Sequence, residues 1–544
     1  MWKQNKRYLL WGASVVCAGL AFIFLAISKM IPVKYMAALF LVLAVVCFGS
    51  FWLQQKWNKL RFAVAALLEV LVIAASCYGI SILRHTMQMM QRITEIVTET
   101  EAISAYVLVD SKLESLQEAK DSIFGIVTNQ SEQAVRQMLE RLSEETDTIL
   151  NIQEYSDMFL AVDALQDEQV QVVVLNDAYA GIIGEIEGYE WFPEGTRILS
   201  SSIEEIKVEV PVTPAPQEDN PNLPDSQEQQ ETSEGSGEDS SGTAGDASEQ
   251  GTVLTANATP APPKMELMEV PEQVDWEALV NQELLAAPDG TFVAYISGAD
   301  TWGRASTKSR SDVNILAVVN TNTKKLLLVS TPRDFYVPLA NSRGVKDKLT
   351  HAGIYGINNS VGTLEMLYGV DIQYYVKMNF TGFVGIVDAI GGVDVYSDSD
   401  FSVGEGLTYV QGINHMNGIQ ALAFARERYS FAGGDRARGT HQMEVIKAVI
   451  TQAMSPAILY NYADVMNSIS GCFTTNMPQD KIASLVRMQL NDMSSWSISS
   501  ISVDGTGASK TTFSVPSKRA YVMIPDENTV QTAKDAITVV LSGQ

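Results

Sequence analysis

Three long apolar runs near the N-terminus constrain the fold of this chain more than any other feature. They extend from Tyr8 to Ser28, from Tyr35 to Leu53 and from Phe62 to Leu83. Each has close to the ~20 apolar residues that a membrane-crossing helix needs. No small-residue cleavage site closes the first run and another run follows it, which argues against a cleaved signal peptide. The sequence therefore predicts a membrane anchor at 1–86, with three transmembrane helices at 8–28, 35–53 and 62–83.

The basic residues around these runs indicate the orientation of the anchor. One group, Lys3, Lys6 and Arg7, lies before the first run. A second group, Lys56, Lys59 and Arg61, lies between the second and third runs. The other flanks carry fewer: Lys29, Lys34, Arg84 and Arg92. The positive-inside rule then predicts a multi-pass protein of the cell membrane, with a cytoplasmic N-terminus and all later domains outside. Cys472 is the single cysteine after the anchor, and an exported surface without disulfides is typical of Gram-positive bacteria.

The rest of the chain divides into three segments of different composition. Residues 87–210 mix strand and helix patterns, which predicts a small α/β accessory domain; it has no His, Cys or glycine-rich loop, and we assign it no chemistry. Residues 211–264 are rich in Pro, Ser, Gly and acids, which predicts a disordered acidic linker. Residues 265–544 alternate strand and helix patterns. They predict a large α/β domain with a central mixed β-sheet flanked by helices.

The charge of the chain excludes one class of partner. Its formal net charge is -26, so nucleic acid should be repelled and any anionic substrate must be held by a local cluster of cations. The sequence has no Walker-type phosphate loop, which argues against a nucleotide-driven enzyme.

The stretch from Phe292 to Asp334 predicts a small sheet with a polar edge. Its strand-like runs are Phe292 to Ser297, Val313 to Val319 and Leu326 to Ser330, and the last two flank a hairpin-length turn. Antiparallel pairing of the three runs would gather five polar side chains at one edge: Asp300, Arg310, Asp312, Arg333 and Asp334. This composition suits a divalent cation and a phosphorylated group. Polar strand ends are also ordinary in any sheet, so both interpretations stay open.

A second basic segment extends from Ala421 to Gln442. If Phe424 to Tyr429 is extended, Arg426 and Arg428 point to one face and repel each other unless an anion lies between them. In the helix that follows, Arg438 and Gln442 share a face near its N-terminus, where backbone N–H groups favour anions. Guanidinium groups match phosphate oxygens well. Taken alone, the segment is better explained by solvated arginines paired with acidic neighbours.

Together, these segments resemble a known family. The motifs occur in this order: GAD (298–300), SRSD (309–312), TPRD (331–334), KDKLTHAGIYG (346–356), IGGVDV (390–395), and QALAFARER with GGDRARG (420–439). They are similar to those of the LytR-CpsA-Psr family, and most similar to its CpsA-type capsule and exopolysaccharide members. Each motif alone is weak, whereas the ordered set is specific.

The resemblance implies an extracytoplasmic, Mg²⁺-dependent phosphotransferase. Such an enzyme moves a capsular or other cell-wall glycan from a polyprenyl-diphosphate carrier to peptidoglycan through a phosphodiester. By the same resemblance, Asp300 and Asp312 match the Mg²⁺ positions. The positions that line the diphosphate are Arg310, Arg333, Lys348, Arg426, Arg428, Arg438 and Gln442.

The chemistry of phosphoryl transfer adds two expectations. A carboxylate is needed to orient the incoming hydroxyl, and Asp312 and Asp334 are the open candidates. We therefore expect the catalytic group to be Asp312, Arg333, Asp334, Arg426 and Arg428. An apolar slot is needed for the isoprenoid tail, and the helices Val361 to Leu367 and Val445 to Met454 could form it or could be ordinary core.

Two other functions remain open from the sequence. One is a non-enzymatic subunit that binds lipid-linked glycan or regulates a polysaccharide assembly complex. The other is a polyprenyl-diphosphate pyrophosphatase.

Overall fold

The structure is a computed structural model. It describes residues 8–29, 31–55, 59–94, 99–128, 132–206, 271–404, 406–428, 430, 435–455, 458, 465, 468–469 and 471–544. The predicted acidic linker at 211–264 lies outside these residues.

The N-terminal part is a bundle of three helices, α1 (Tyr8–Ile27), α2 (Val33–Gln55) and α3 (Lys59–Thr94). All three are long and apolar enough to cross a membrane, as predicted. Helix α3 continues beyond the predicted boundary at residue 86 as far as Thr94. Its one buried acid, Glu69, accepts a hydrogen bond from Gln54 Nε2 of α2 at 2.6 Å, so the carboxyl has a polar neighbour within the bundle.

The accessory domain has a five-stranded sheet in the order β3-β2-β4-β1-β5. In chain order its elements are β1 (Glu99–Leu108), β2 (Ile123–Val127), α4 (Glu132–Thr146), β3 (Asn151–Tyr155), α5 (Met158–Gln166), β4 (Val172–Asn176), α6 (Asp177–Ile183), α7 (Phe192–Gly195) and β5 (Thr196–Ile206). Every residue of β4 is buried, because helices cover both faces of the sheet. This agrees with the predicted α/β class.

The large domain is built on a six-stranded mixed sheet in the order β16-β11-β6-β7-β8-β17. Its strands are β6 (Thr291–Ala299), β7 (Val313–Asn320), β8 (Lys325–Thr331), β11 (Tyr374–Asn379), β16 (Phe473–Thr475) and β17 (Ser497–Ser502). Strands β11 and β17 run parallel to their neighbours β6 and β8, whereas β7 runs antiparallel to both β6 and β8. The predicted pairing of the three opening runs and the hairpin between the last two are therefore confirmed.

The remaining elements of the large domain cover this sheet or extend from it. The helices are α8 (Trp276–Val280), α9 (Ile357–Tyr368), α10 (Phe380–Ala389), α11 (Gly418–Arg426), α12 (Asp435–Ala453), α13 (Gln479–Asp492) and α14 (Glu527–Ser542). The short strands form separate pairs: β9 (Tyr336–Pro338) with β10 (Lys346–Lys348), β12 (Val393–Ser397) with β15 (Gly412–Met416), β13 (Phe401–Val403) with β14 (Leu407–Tyr409), and β18 (Gly505–Lys510) with β19 (Ala520–Pro525). The Val393 strand thus lies outside the central sheet.

The two α/β domains are docked through buried charges and apolar contacts. Thr100 of β1 pairs with the segment before Lys308, with its N–H 3.1 Å from the carbonyl of Ser306. On either side of it, Glu99 lies 3.4 Å from Lys377 and Glu101 lies 2.9 Å from Lys308. Beside these ion pairs, Ile354, Val515 and Ala520 of the large domain join the accessory domain's apolar core. Buried pairs in a low-dielectric contact hold a fixed geometry, so the junction is a defined interface.

A substitution at Gly356 tests this junction. Its φ of 105° disfavours any other residue, and a Cβ there would lie 2.5 Å from Glu99 Oε2. Gly356→Ala should therefore lower the free energy of unfolding by about 1–3 kcal/mol and loosen the docking of the accessory domain. Gly391→Ala is the matched control, since Gly391 also has a positive φ, of 82°, but no atom within 4 Å of its Cβ position. Thermal unfolding and limited proteolysis would measure both, and equal effects would contradict a specific contact with Glu99.

Candidate functional site

Two carboxylates meet at the edge where β6 ends and β7 begins. The register pairs Gly298 with Val313, which leaves Asp300 and Asp312 side by side just beyond the ladder. The Asp300 N–H donates to Asp312 Oδ2 at 3.3 Å. Strand β8 ends beside them, because Asn314 pairs with Thr331. The structure thus places the predicted polar side chains at one edge.

Arg333 is the central cation of this edge. Its Nη1 donates to Asp312 Oδ1 at 2.7 Å, and its Nε lies 3.7 Å from Asp334 Oδ2. Asp334 also pairs with Lys348, whose Nζ is 2.7 Å from Oδ1. Burial alone would lower the pKa of Arg333, but the surrounding carboxylates outweigh it and raise that pKa. Arg333 and Lys348 are therefore charged although they are largely buried.

The 3₁₀ helix at Leu349–Tyr355 ties the two sides of the edge together. The Thr350 N–H donates to the carbonyl of Arg333 at 2.8 Å, and the Thr350 carbonyl accepts from the N–H of Ser311 at 2.9 Å. Its hydroxyl lies 3.4 Å from Asp312 Oδ1. A Cβ on Gly353 would lie 2.5 Å from Ser311 Oγ, so only glycine permits this approach. The KDKLTHAGIYG motif therefore has a positioning role that its sequence did not reveal.

The accessory domain contributes Glu185, which the sequence analysis missed. Its carboxylate contacts three cations of the large domain: Arg310 at 2.5 Å, Lys348 at 3.1 Å and Arg333 at 3.5 Å. Burial by itself raises the pKa of Glu185, but Lys348, Arg310 and Arg333 outweigh it and hold that pKa at about 2. The accessory domain therefore contributes to the site. The sequence did not predict this, because nothing in the local sequence marks a glutamate in the turn after α6 as a partner of distant residues.

Arg426 and Arg428 differ from their predicted arrangement. Residues 424–426 are the last turn of α11 and not an extended run, so the two arginines do not alternate along a strand. Arg426 lies 3.2 Å from Asp300 Oδ1 and 4.4 Å above the ring of Phe380. Arg428, two residues beyond the helix, lines the cavity beside Arg333. The helix arises because Asn417 and Gln420 form a capping box at its start, which the sequence analysis did not weigh against the strand pattern.

Arg438 and Gln442 lie one turn apart on α12 and are partly buried. Neither residue is among the described residues that line the cavity beside Arg333. Between them, His441 is buried against the rings of Phe401 and Phe424. Their role toward a diphosphate remains a prediction.

A cavity of about 320 Å³ opens between the two domains beside the cations. It is lined by the charged residues Glu185, Arg333, Asp334, Lys348 and Arg428 and by the apolar residues Ile182, Ile186, Ala520 and Met523. For the two helices that could form an apolar slot or ordinary core, Leu364 and Val445 favour core, since both are buried within hydrophobic clusters. Charged and apolar residues in one cavity suit an amphipathic ligand.

His351 lines the same cavity. Its Nδ1 lies 2.7 Å from Asp347 Oδ1, and Asp347 also accepts hydrogen bonds from the N–H and hydroxyl of Ser514. Burial raises the pKa of Asp347, but its contacts with His351, Ser514 and the Lys348 N–H outweigh it and lower that pKa. The imidazole is thus oriented by an ionised carboxylate.

The oxygen donors at the edge fit a magnesium ion only in part. Among the described residues, no group of three or more His, Cys, Asp or Glu side chains could hold a metal alone. Asp300 and Asp312 are two adjacent hard donors, and Mg²⁺ is commonly held by one or two carboxylates together with waters and substrate phosphates. The pair therefore fits an ion whose coordination a phosphorylated substrate completes.

Comparisons with known proteins agree with this architecture. The LytR_cpsA_psr family matches residues 262–536, about half of the 544 residues. TagU of Bacillus mycoides (strain KBAB4), named a polyisoprenyl-teichoic acid--peptidoglycan teichoic acid transferase, is 39% identical over 186 residues, or 34% of this chain and 60% of that protein. TagU of Oceanobacillus iheyensis is 35% identical over 184 residues, or 32% of this chain and 57% of that protein. The chain thus spans less than two thirds of these relatives.

Solved structures include similar chains. TagV of B. subtilis is 25% identical with a TM-score of 0.41, covering 47% of this chain and 98% of that one. TagT bound to LIIa-WTA is 26% identical with a TM-score of 0.38, covering 47% and 92%.

Fold and site define an α/β protein with paired carboxylates and buried cations at one edge of a mixed sheet, preceded by three apolar helices. The chain belongs to the LytR-CpsA-Psr family.

The ion pairs of Glu185 predict an acid-dependent stability. Because its folded pKa of about 2 lies below the ordinary 4.5, the carboxylate stabilises the fold above about pH 4.5, and this contribution is lost as pH falls toward 2. Relative to Glu185→Gln, the wild type should lose on the order of 1–2 kcal/mol over this range, after allowance for solvent screening. Thermal unfolding at several pH values would measure the difference. Glu187→Gln, at an exposed position in the same turn, is the control, and a pH-independent difference for Glu185→Gln would contradict these pairs.

Proposed function

We propose that this protein is an extracytoplasmic phosphotransferase. It would move a capsular or other cell-wall glycan from a polyprenyl-diphosphate carrier to peptidoglycan and leave the two joined by a phosphodiester. The observation that carries the proposal is that Arg333, Lys348 and Arg428 line one cavity together with apolar residues, and that Arg333 contacts the Asp300 and Asp312 pair. Family membership and the names of the TagU relatives support it.

The charges of the site suit a diphosphate. Buried cations that are held in place by carboxylates can neutralise non-bridging oxygens without reorganisation, which is the main requirement of phosphoryl transfer. Arg333 and Arg428 both line the cavity, so their guanidinium groups are near any anion bound there. Arg426 lies over Phe380 and beside Asp300, and we propose that it contacts the outer phosphate. Ile182, Ile186 and Met523 offer an apolar surface to the first isoprene units.

The transfer step needs one proton acceptor. The acceptor hydroxyl attacks the phosphorus that carries the glycan, a new P–O bond forms, and the P–O bond to polyprenyl phosphate breaks. The hydroxyl proton passes to a carboxylate, and both Asp312 and Asp334 remain candidates. Each is paired with Arg333, which holds the carboxylate in place at the edge.

Asp300 and Asp312 would hold the Mg²⁺ ion of the proposed reaction. When bound, this ion neutralises charge on the phosphate oxygens. Arg426 lies 3.2 Å from Asp300 and Arg333 lies 2.7 Å from Asp312, so each carboxylate is held by a cation.

We also propose an extracytoplasmic position for both α/β domains. Lys29, in the turn between α1 and α2, lies 3.4 Å from Asp480 of α13, and Ile31 packs beside Ala483. This turn and the large domain are therefore on the same side of the bundle. The basic residues at the opposite side favour the cytoplasm, which leaves the domains facing peptidoglycan.

Variants of the edge test the enzymatic proposal. Arg426→Ala or Arg428→Ala should each remove a charge-assisted contact, at ~1.5–3 kcal/mol or one to two decades in transfer rate. Asp312→Asn should suppress metal-dependent transfer more than it weakens lipid binding, because the apolar residues of the cavity are separate from the carboxylates. The measurement is transfer of a lipid-diphosphate-linked glycan to peptidoglycan, with and without chelator. Arg487→Ala, exposed on α13, is the control.

The same assay separates the alternatives. Release of glycan phosphate without an acceptor would favour a pyrophosphatase. Unchanged transfer in all three edge variants would instead favour a non-enzymatic binding subunit.

Reporter fusions test the orientation. A reporter after Gln544 should be active outside the cytoplasm, and the same reporter before Met1 should be active inside, because three helices place the two ends on opposite sides. A cytoplasmic signal from the C-terminal fusion would contradict the proposal, since peptidoglycan lies outside.

A further inference from the structure

We propose that Glu185 of the accessory domain occupies the phosphate-binding position of the free protein and is displaced when an anionic substrate binds. The accessory domain would thereby determine how strongly the site binds anions. This inference rests on the proposed function only for the identity of the substrate as a diphosphate.

The contacts of Glu185 are those expected of a bound phosphate. One oxygen, Oε1, lies 2.5 Å from Arg310 Nη1 and 3.5 Å from Arg333 Nη2, and the other, Oε2, lies 3.1 Å from Lys348 Nζ. Short contacts between a guanidinium, an ammonium and two oxygens of one anion are the geometry of phosphate recognition. Since Glu185 also lines the cavity, its carboxylate lies where a ligand of these cations would bind.

Two of the cations that Glu185 contacts, Arg333 and Lys348, also have carboxylate partners in the large domain. Three cations, Arg310, Arg333 and Lys348, contact three carboxylates, Glu185, Asp312 and Asp334. A diphosphate that entered this cluster would bring further negative charge to within a few ångströms of Glu185. Like charges at that separation in a partly buried site repel strongly. The ligand and the Glu185 carboxylate therefore exclude each other from these cations.

The surrounding structure favours displacement of the side chain over movement of the domain. Gly184, next to Glu185, packs on Pro193 so closely that a Cβ would lie 2.6 Å from its Cγ, and Gly181 packs on the guanidinium of Arg310. The domain junction is held by the buried pairs of Glu99 and Glu101. The Glu185 side chain, by contrast, is 32% exposed and has a path to solvent. Rotation about its own bonds is sufficient to release the cations.

Asp312 and Asp334 cannot have the same role. Both extend from the strand edge that forms the site, and their side chains are 12% and 10% exposed. They hold Arg333 and Lys348 from within the large domain, whereas Glu185 contacts the same cations from the accessory domain. The accessory domain thus supplies the one carboxylate of this cluster that can leave without disturbing the edge.

The test measures anion binding and transfer separately on the full-length protein in detergent. Inorganic pyrophosphate with Mg²⁺ is titrated calorimetrically into the wild type, Glu185→Gln, Glu185→Asp and the control Glu187→Gln. We expect about tenfold tighter pyrophosphate binding in Glu185→Gln. In the wild type the Glu185 carboxylate occupies the cations in most molecules, and this competition is lost in the variant. Glu185→Asp keeps the charge on a shorter side chain and should be intermediate, and Glu187→Gln should match the wild type.

The transfer assay then distinguishes competition from a structural role. Glu185→Gln should lower KM for the lipid-linked glycan about tenfold and leave kcat unchanged, a split that loss of packing does not produce. Equal or weaker pyrophosphate binding in Glu185→Gln would overturn the inference, as would the absence of pyrophosphate binding in every variant. Tighter pyrophosphate binding without any transfer would preserve the inference and reject the proposed function.

Discussion

The site depends on the ion pairs around Arg333. This guanidinium is largely buried and is held by Asp312, Asp334 and Glu185, which come from two strand ends and a second domain. A buried cation is tolerated only where carboxylates compensate the loss of hydration, and removal of one partner leaves an uncompensated charge. The strand edge, the 3₁₀ helix and the accessory domain all contribute contacts that hold the Arg333 guanidinium in one position.

Backbone geometry makes that position reproducible. The hairpin of β7 and β8 returns the chain to the end of β6. The pairing of these neighbouring strands alone brings Asp300, Asp312 and Arg333 together. Thr350 then connects the two motifs through its own N–H and carbonyl. Charged side chains are flexible, but these are oriented by neighbours on rigid elements, which is the condition for electrostatic stabilisation without reorganisation.

The accessory domain changes the interpretation of the site. A tethered module would leave the cations of the large domain open to solvent, whereas the buried pairs of Glu99 and Glu101 place the α6 turn directly over them. Part of the cavity lining and the third carboxylate partner of Arg333 therefore belong to a segment more than a hundred residues away in sequence. In this protein the candidate site is formed by both domains together.

The sequence by itself determined most of the elements and which polar residues meet at the strand edge. Apolar runs of membrane length, alternating patterns in β6 to β8 and polar residues at their ends are local signals, and local signals predicted the anchor, the mixed sheet and the meeting of Asp300, Asp312, Arg333 and Asp334. The tertiary structure decided what depends on distant contacts. It showed that Arg426 ends a capped helix, that the cavity lies between the domains, and that Glu185 contacts Arg310 and Lys348. Periodicity reports only which face of an element is apolar, whereas an ion pair between domains depends on how two separately folded surfaces pack, and no pattern within either segment encodes that.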